Sequence, residues 1–422
     1  MGNTIQLTAE ARQKINAYHA AALRDAGMDF AQVDAIDSFP VPVKTHERLN
    51  SLVVDADVTG FLKKINVVTG LKETEGKLLY SDMDERVLKR TNPPTNAREP
   101  SIAASQSNRT YKLLSTEADI LFSWEKLNAY ARFANFRERL LADKALRIAN
   151  DRLFLGWNGT DDSQAYVQTA AITTLNKGWI QRLRDEKAAN VISEIVAGSG
   201  KIFVDSQNKE VALNTGEAIT DEGGGTVGIP ATAHGFKSGA QIVVSGQGVN
   251  YDGTHLVLAA STANKIHITK AHTVENVAGG AKATQAPDYK NMDELMVDLV
   301  ASIPVQKRSG LTAMMADDLR ATERGILYNQ HAAQPTEKVA LERAFAELAG
   351  HPVETPAFIP TRTLVATKHR NLSIYVHENL NRKLENKHEW KGLVDWNEWS
   401  EGYFVEDLES MIMAENIYRI ND

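Results

Sequence analysis

Apolar residues recur at helical spacing over residues 8–26, where Ile15, Tyr18, Ala22 and Leu23 form one stripe. Thr8, followed by Glu10 and Ala11, reads as the N-cap and Gly27 as the stop, so the pattern predicts a short, mostly polar helix. In the following MDFAQVDAIDSFPVPVKT, acids are scattered and Pro40 and Pro42 forbid a helix, which predicts an exposed connection. Two strand-like runs, KKINVV (63–68) and KLLYS (77–81), lead into a polar segment at 90–110 that contains three prolines and little to bury. Such a segment is a long loop or arm. Apolar alternation resumes in YKLLSTEADILFSW (111–124), so the loop is expected to return as the second limb of a long hairpin.

From Trp124 to Trp157 there is no proline and no glycine before Gly156, and Leu127, Tyr130, Ala131 and Ala134, then Leu141, Ala145 and Ile148, keep helical spacing. The pattern predicts one helix of about 34 residues, roughly 50 Å long at 1.5 Å rise per residue. The Asn158-Gly159 turn stops it, and GWIQRLRDEKAANVISEIV predicts a further amphipathic helix over 178–196. Composition then shifts: 14 of the 27 glycines lie between Gly198 and Gly280, among short Val/Ile/Thr runs such as QIVVSG and THLVLAAS. That is the signature of a string of hairpins, a small β module at 199–286. Beyond it come a helix at about 291–302, a strand LTAMMA (311–316), the helix DDLRATERGILYN, and strands TLVATK (363–368) and NLSIYV (371–376). The simplest organisation is an insertion that splits one mixed α and β domain.

Charge and composition narrow the function. Lys and Arg total 47 against 54 Asp and Glu, a net charge of -7, so a protein built mainly to grip nucleic acid is excluded and any DNA contact is local or passive. With no cysteine, disulfides, thiolate metal sites and cysteine nucleophiles are ruled out. No stretch reaches the roughly 18 apolar residues of a membrane span, and the N-terminal MGNTIQLTAEARQ does not read as a secretory signal.

Catalytic and cofactor patterns fail on inspection. GSGKI at 198–202 lacks the P-loop spacing and places Ile202 where a hydroxyl must meet magnesium, while GGGT at 223–226 reads as a hairpin tip. His255, His267 and His272 have no carboxylate at ligand spacing and read as strand histidines, and His388-Glu389-Trp390 lacks the second histidine of a zinc helix. There is no G-x-S-x-G elbow, and pairs such as Asp161-Asp162, Asp317-Asp318 and Glu406-Asp407 read as caps or solvated faces. The sequence therefore yields no catalytic residue, no cofactor site and no metal site. Arg86, Lys89, Arg90, Arg98, Arg109 and Lys112 give the long loop a basic bias without interleaved aromatics, so it reads as an arm seeking an acidic neighbour. Within it Arg90, Arg98 and Arg109 are the candidate subunit contacts. Trp390, Trp396 and Trp399 read as packing at a subunit contact or a core edge.

Several segments together carry a family resemblance. INAY (15–18), AGMD (26–29), FLKKINVV (61–68), LADKALRIANDRLFLGWNGT, GWIQRLRDE, MADDLR (315–320), PTEKVA (335–340), FIPTRTLVATKHRNLSIYV (358–376) and EGYFVEDLESMIMAENI (401–417) occur in one order. In that order the chain resembles a P2-family major capsid protein of a tailed bacteriophage, over about 1–197 and 287–422. The resemblance implies an α+β HK97-like phage capsid fold with an N-terminal arm, an extended loop, a long spine helix, and peripheral and axial domains. On that template residues 1–40 are an N-terminal arm and helix removable by a maturation protease. Residues 41–198 and 287–422 are the capsid core, with the extended loop at about 70–115 and the spine helix at about 124–157; the module at 199–286 departs from the family pattern and reads as an inserted all-β module. The implied function is a non-enzymatic shell protein: hexamers and pentamers enclosing double-stranded DNA by passive contact. Portal protein, scaffold and maturation protease would be its partners, no membrane would be involved, and assembly would run in the host bacterial cytoplasm. An encapsulin-like cargo shell, or a carbohydrate-binding or hydrolytic protein using the β module, are the alternatives.

Overall fold

In the computed structural model, which describes residues 6–25, 39–78, 81–82, 105–106, 109–162, 171–331 and 346–421, Thr8 Oγ1 accepts the Ala11 amide at 3.2 Å and opens helix α1 (Ala9–Asp25). Its stripe of Ala11, Ile15, Tyr18 and Ala22 is buried as the sequence pattern requires. The proline-bearing connection departs from expectation. Phe39–Val41 is a strand, and helix α2 (Val43–Ala56) starts directly after it with Pro42 at its N-cap, φ -56°. Proline breaks a helix from within but suits its start, where no amide partner is lost. A short helix α3 (Phe61–Lys64) then leads into the strand Asn66–Leu71.

The expected hairpin is present. Glu75–Lys77 pairs antiparallel with Thr110–Lys112, and Ser81–Asp82 with Ser105–Gln106. The loop's central residues, Arg90 and Arg98 among them, lie outside the described residues.

The single long helix is corrected to two, α4 (Trp124–Ala131) and α5 (Phe136–Asn158). Turning at 132–135 lets Leu127 and Ala131 on one side and Phe136 and Leu140 on the other share one apolar cluster with α1. Lys14 Nζ, from α1, donates to the Ala131 and Phe133 carbonyls that the break leaves without helical partners. The 23 residues of α5 span about 35 Å at the helical rise. Helix α6 (Trp179–Glu186) ends well before residue 196, because Val191–Ile192 leaves the helix to pair in parallel with Met413–Ala414.

Two compact units result, 1–186 with 369–408 and 187–368 with 409–422. In the first, the strands Leu372–Lys387 and Gly392–Val405 form a long antiparallel hairpin at the centre of a six-stranded sheet. Strands 39–41 and 66–71 add to its first limb, 114–117 and 120–123 to its second. Where α5 meets the start of α6, the rings of Phe61, Trp157 and Trp179 stand 5.2–6.3 Å apart by centroid. Glycine alone permits this crossing. A Cβ on Gly178 would lie 2.4 Å from the Leu155 carbonyl oxygen and 2.5 Å from that of Gly156.

The second unit holds a six-stranded sheet ordered 347–348, 351–354, 312–315, 364–367, 412–414 and 191–192. Helix α7 (Met292–Ala301) covers it through Met292, Leu295, Met296 and Leu299, and α8 (Asp317–His331) follows strand 312–315. Residues 209–285 form a four-stranded and a three-stranded sheet around their own apolar cluster, with GGGT at the tip of one hairpin as its composition predicts. That cluster also takes in Ile420, and strand Ile202–Phe203 pairs with Ile417–Tyr418.

Gly178→Ala should destabilise the first unit by about 1–3 kcal/mol, because the clash is with backbone that cannot rotate away. Gly325→Ala, in α8 with open space around it, should be neutral or stabilising by about 0.5–1 kcal/mol. Urea unfolding of the two variants checks the contrast.

Candidate functional site

The hairpin is the candidate site for contact beyond the subunit, and its root is built from four residue types. Tyr111 faces the sheet at 5.2 Å from Tyr375 and 6.2 Å from Phe404 by ring centroid. Leu78 and Leu113 are buried beside it, and opposite it stands Gly76, where a Cβ would meet the Tyr111 ring within 2.9 Å. Glycine is therefore what lets the ring lie across the partner strand.

Arg109 completes the root. Its Nε donates to Glu186 at 2.7 Å, a second nitrogen meets the same carboxylate at 2.6 Å, and another donates to the carbonyls of Val405 and Glu406 at 2.6 and 3.0 Å. A planar fork meets several acceptors at fixed angles, which a lysine could not do. Of the three arginines singled out in the loop, the structure gives Arg109 an acidic partner in its own chain, while Arg90 and Arg98 lie outside the described residues.

Between α5 and the strand 392–405 lies a group that the sequence reading missed. On α5, Lys144 and Arg152 sit on the buried face beside Leu140 and Ile148. On strand 392–405, Asp395, Asn397, Trp399, Glu401 and Tyr403 share the opposing face by two-residue alternation. Lys144 donates to Asp395 at 3.1 Å and to Asn397 Oδ1 at 2.6 Å, and Arg382 from the neighbouring strand grips both Asp395 oxygens at 2.8 Å. Arg382 also donates to the Tyr18 hydroxyl at 2.6 Å, which brings α1 into the network. Eight residues along α5, Arg152 meets Glu401 at 2.8–2.9 Å, and Trp399 and Tyr403 donate to the same carboxylate.

Burial would push the Asp395 carboxyl up, but Arg382 and Lys144 together hold it well below the usual carboxylate range. Lys144 is lowered to about 8, first by burial and further by Arg382, with Asp395 opposing. Burial pushes Tyr18 up to about 12 against the pull of Arg382. One carboxylate thus serves two buried cations, and the ammonium is the weaker claimant.

The nucleotide and metal patterns rejected from sequence occupy ordinary structural places. Lys201 donates to the Ser238 carbonyl and hydroxyl, and the Glu194 carboxylate accepts the Gly200 amide, where a phosphate would need to sit. Among the described residues no group of three His, Asp or Glu could hold a metal ion, although His267 is buried rather than solvated. Of the three tryptophans, Trp399 is buried in the Glu401 network while Trp390 is half exposed and stands 6.2 Å from Trp396.

A family model described as phage major capsid protein, P2 family, matches residues 14–215 and 246–417. The chain is 25% identical over 179 residues to the major capsid protein of Serratia phage KSP20, covering 42% of this chain and 49% of that protein. It is 24% identical over 196 residues to the capsid proteins of Escherichia phage P2, 46% of this chain and 53% of that one. The chain spans about half the length of these curated relatives. Among solved structures it is similar to one described as the satellite phage P4 procapsid including the size determination (Sid) protein, with a TM-score of 0.61 at 16% identity over 98% of this chain and 99% of that one. At that identity the likeness speaks to the fold, a phage capsid fold of mixed helix and sheet.

Asp395→Ala should cost about 3–5 kcal/mol at pH 7, since two buried cations lose their counter-charge. Lys144→Met should cost less, because Asp395 keeps Arg382. Asp395 has a depressed folded pKa, so its contribution is whole above the ordinary Asp value of about 3.9 and is lost as pH falls below it. The stability gap between the parent and Asp395→Ala, measured by urea unfolding, should therefore narrow from pH 5 down to pH 2.

Proposed function

The chain belongs to the P2 family of phage major capsid proteins, and on that premise we propose that many copies assemble as hexamers and pentamers into an icosahedral shell holding double-stranded DNA. The observation that carries the reading is the hairpin. Its outer strands, Ser81–Asp82 and Ser105–Gln106, pair only with each other among the described residues. A two-stranded ribbon is marginal in water, so neighbours must supply what its own subunit does not. The comparisons favour neither a cargo shell nor a carbohydrate-active protein, and the family's role is structural rather than enzymatic.

Within this reading, residues 70–115 are the extended loop and α4 with α5 the spine. Arg90 and Arg98 are its contacts to the next subunit, whereas Arg109, spent on Glu186, anchors the loop's root. Residues 1–40 are the N-terminal arm, removed by a maturation protease, and 41–198 with 287–422 form the capsid core. Residues 199–286 are read as an inserted β-rich domain, which the apolar cluster built mostly from them supports; the family match leaves out only 216–245 and takes in 199–215 and 246–286, so the part beyond the family pattern is narrower than that span. Scaffold and portal protein join during assembly in the host cytoplasm, and DNA is held by passive contact, in keeping with the net charge of -7. No helix among the described residues is long and apolar enough to cross a membrane.

Deleting residues 91–107 should leave a soluble, helical subunit that forms no shells in negative-stain electron microscopy. Normal particles from that variant would remove the loop from assembly. A second check is the intact mass of subunits from DNA-filled particles, which should be short by a segment ending between Gln32 and Val41; a full-length mass would refute processing.

A further inference from the structure

Between α2, α5 and the strand Leu372–Lys387 lies a cavity of about 340 Å³. Its lining carries Lys44, Arg48, Arg137, Lys144 and Arg382 against the acids Asp25 and Glu138. Asp25 is engaged by Arg137, and at the floor Asp395 is divided between Lys144 and Arg382. Even with Asp395 included, five cations face three carboxylates, in a protein whose overall balance is acidic. Lys44 and Arg48, one turn apart on α2, are exposed and have no carboxylate partner among the described residues. The start of α2 adds to the same field: Lys44 and Thr45 of its first turn line the cavity, that turn holds no acid, and Pro42 offers no side-chain acceptor.

We infer that this cavity is a docking site for an acidic peptide segment of an assembly partner, with carboxylates received by Lys44 and Arg48. Its partly enclosed floor lowers the local dielectric, so an entering carboxylate gains more there than on open surface. Shape selects a peptide over DNA: a duplex is a convex rod that needs an open basic face, whereas these cations surround a hollow sized for a few side chains. The assignment rests on the shell-forming reading only for the source of the peptide.

The test titrates a fluorescein-labelled hexaglutamate peptide into the unassembled full-length chain and follows anisotropy. Saturable, salt-sensitive binding is expected, weakened at least tenfold in the Lys44→Ala/Arg48→Ala variant. Both side chains are exposed, so that variant should melt as the parent does. Lys63→Ala, which removes an exposed cation paired with Asp55, should leave binding unchanged. The site is refuted if the parent does not bind, or if Lys63→Ala weakens binding equally. A duplex oligonucleotide that binds more tightly with the same dependence on Lys44 and Arg48 would reassign the cavity to DNA and overturn the proposal. Binding seen only after Asp29, Asp34 and Asp37 are changed to Asn would assign the cavity to this chain's own acids, with the same consequence. Because the assay reads no particles, a chain that binds the peptide but never forms shells would overturn the assembly function and leave the site standing.

Discussion

Asp395 must answer two buried cations at once, and the first unit is arranged so that it can. The carboxylate comes from one limb of the long hairpin, Arg382 from the other, and Lys144 from the helix laid across them. Desolvating three charges is costly, and the cost is recovered only if each group finds its hydrogen-bond partners at good geometry. Asn397 takes the remaining reach of Lys144 and Tyr18 that of Arg382, so helix position and the seat of α1 are both fixed by one cluster. Repacking with apolar residues of similar volume would hold these elements as tightly. What the charge fork adds is a fixed geometry between named groups, beside the register already set by the ladder of the hairpin.

Two kinds of stabilisation therefore meet in the same subunit. The sheet and α5 are closed by internal contacts, down to the glycine crossing at Gly178 and the aromatic triangle beside it. Among the described residues the outer hairpin has only its own ladder. Its root, by contrast, is doubly secured, by Tyr111 on the sheet and by Arg109 on Glu186 and two carbonyls. A protein that must join others while staying soluble alone gains from this division, since the part awaiting a neighbour can change partners without loosening the part that is already folded.

Much of this was legible in the sequence. Alternation at 111–124, helical spacing at 8–26 and glycine density after 198 each mark an element that the structure contains. The misreadings have physical causes. Pro42 was weighed as a helix breaker although it stands at a helix start, and no residue between Trp124 and Trp157 advertises the break at 132–135, which is set by tertiary burial and by a lysine from another helix. The buried charges escaped for a related reason: Lys144 and Asp395 are 251 residues apart, and each alone looks like a solvated group. A signal did exist. Lys144, Ile148 and Arg152 repeat every four residues on a helix that buries that face, and Asp395, Asn397, Glu401 and Tyr403 alternate along a strand, so two complementary charged faces were written in the two natural periods.

The doubly secured root also acts as a fulcrum. Beyond that root, the described part of the loop is the short ladder of Ser81–Asp82 with Ser105–Gln106. Displacement grows with distance from a pivot, so a small tilt at Tyr111 and Arg109 is enlarged at the outer end of the loop. In the proposed shell, six-fold and five-fold rings would demand different angles between neighbours. One root held by a guanidinium and a ring contact, with the rest of the loop beyond it, would let a small angular adjustment supply the reach that both geometries require.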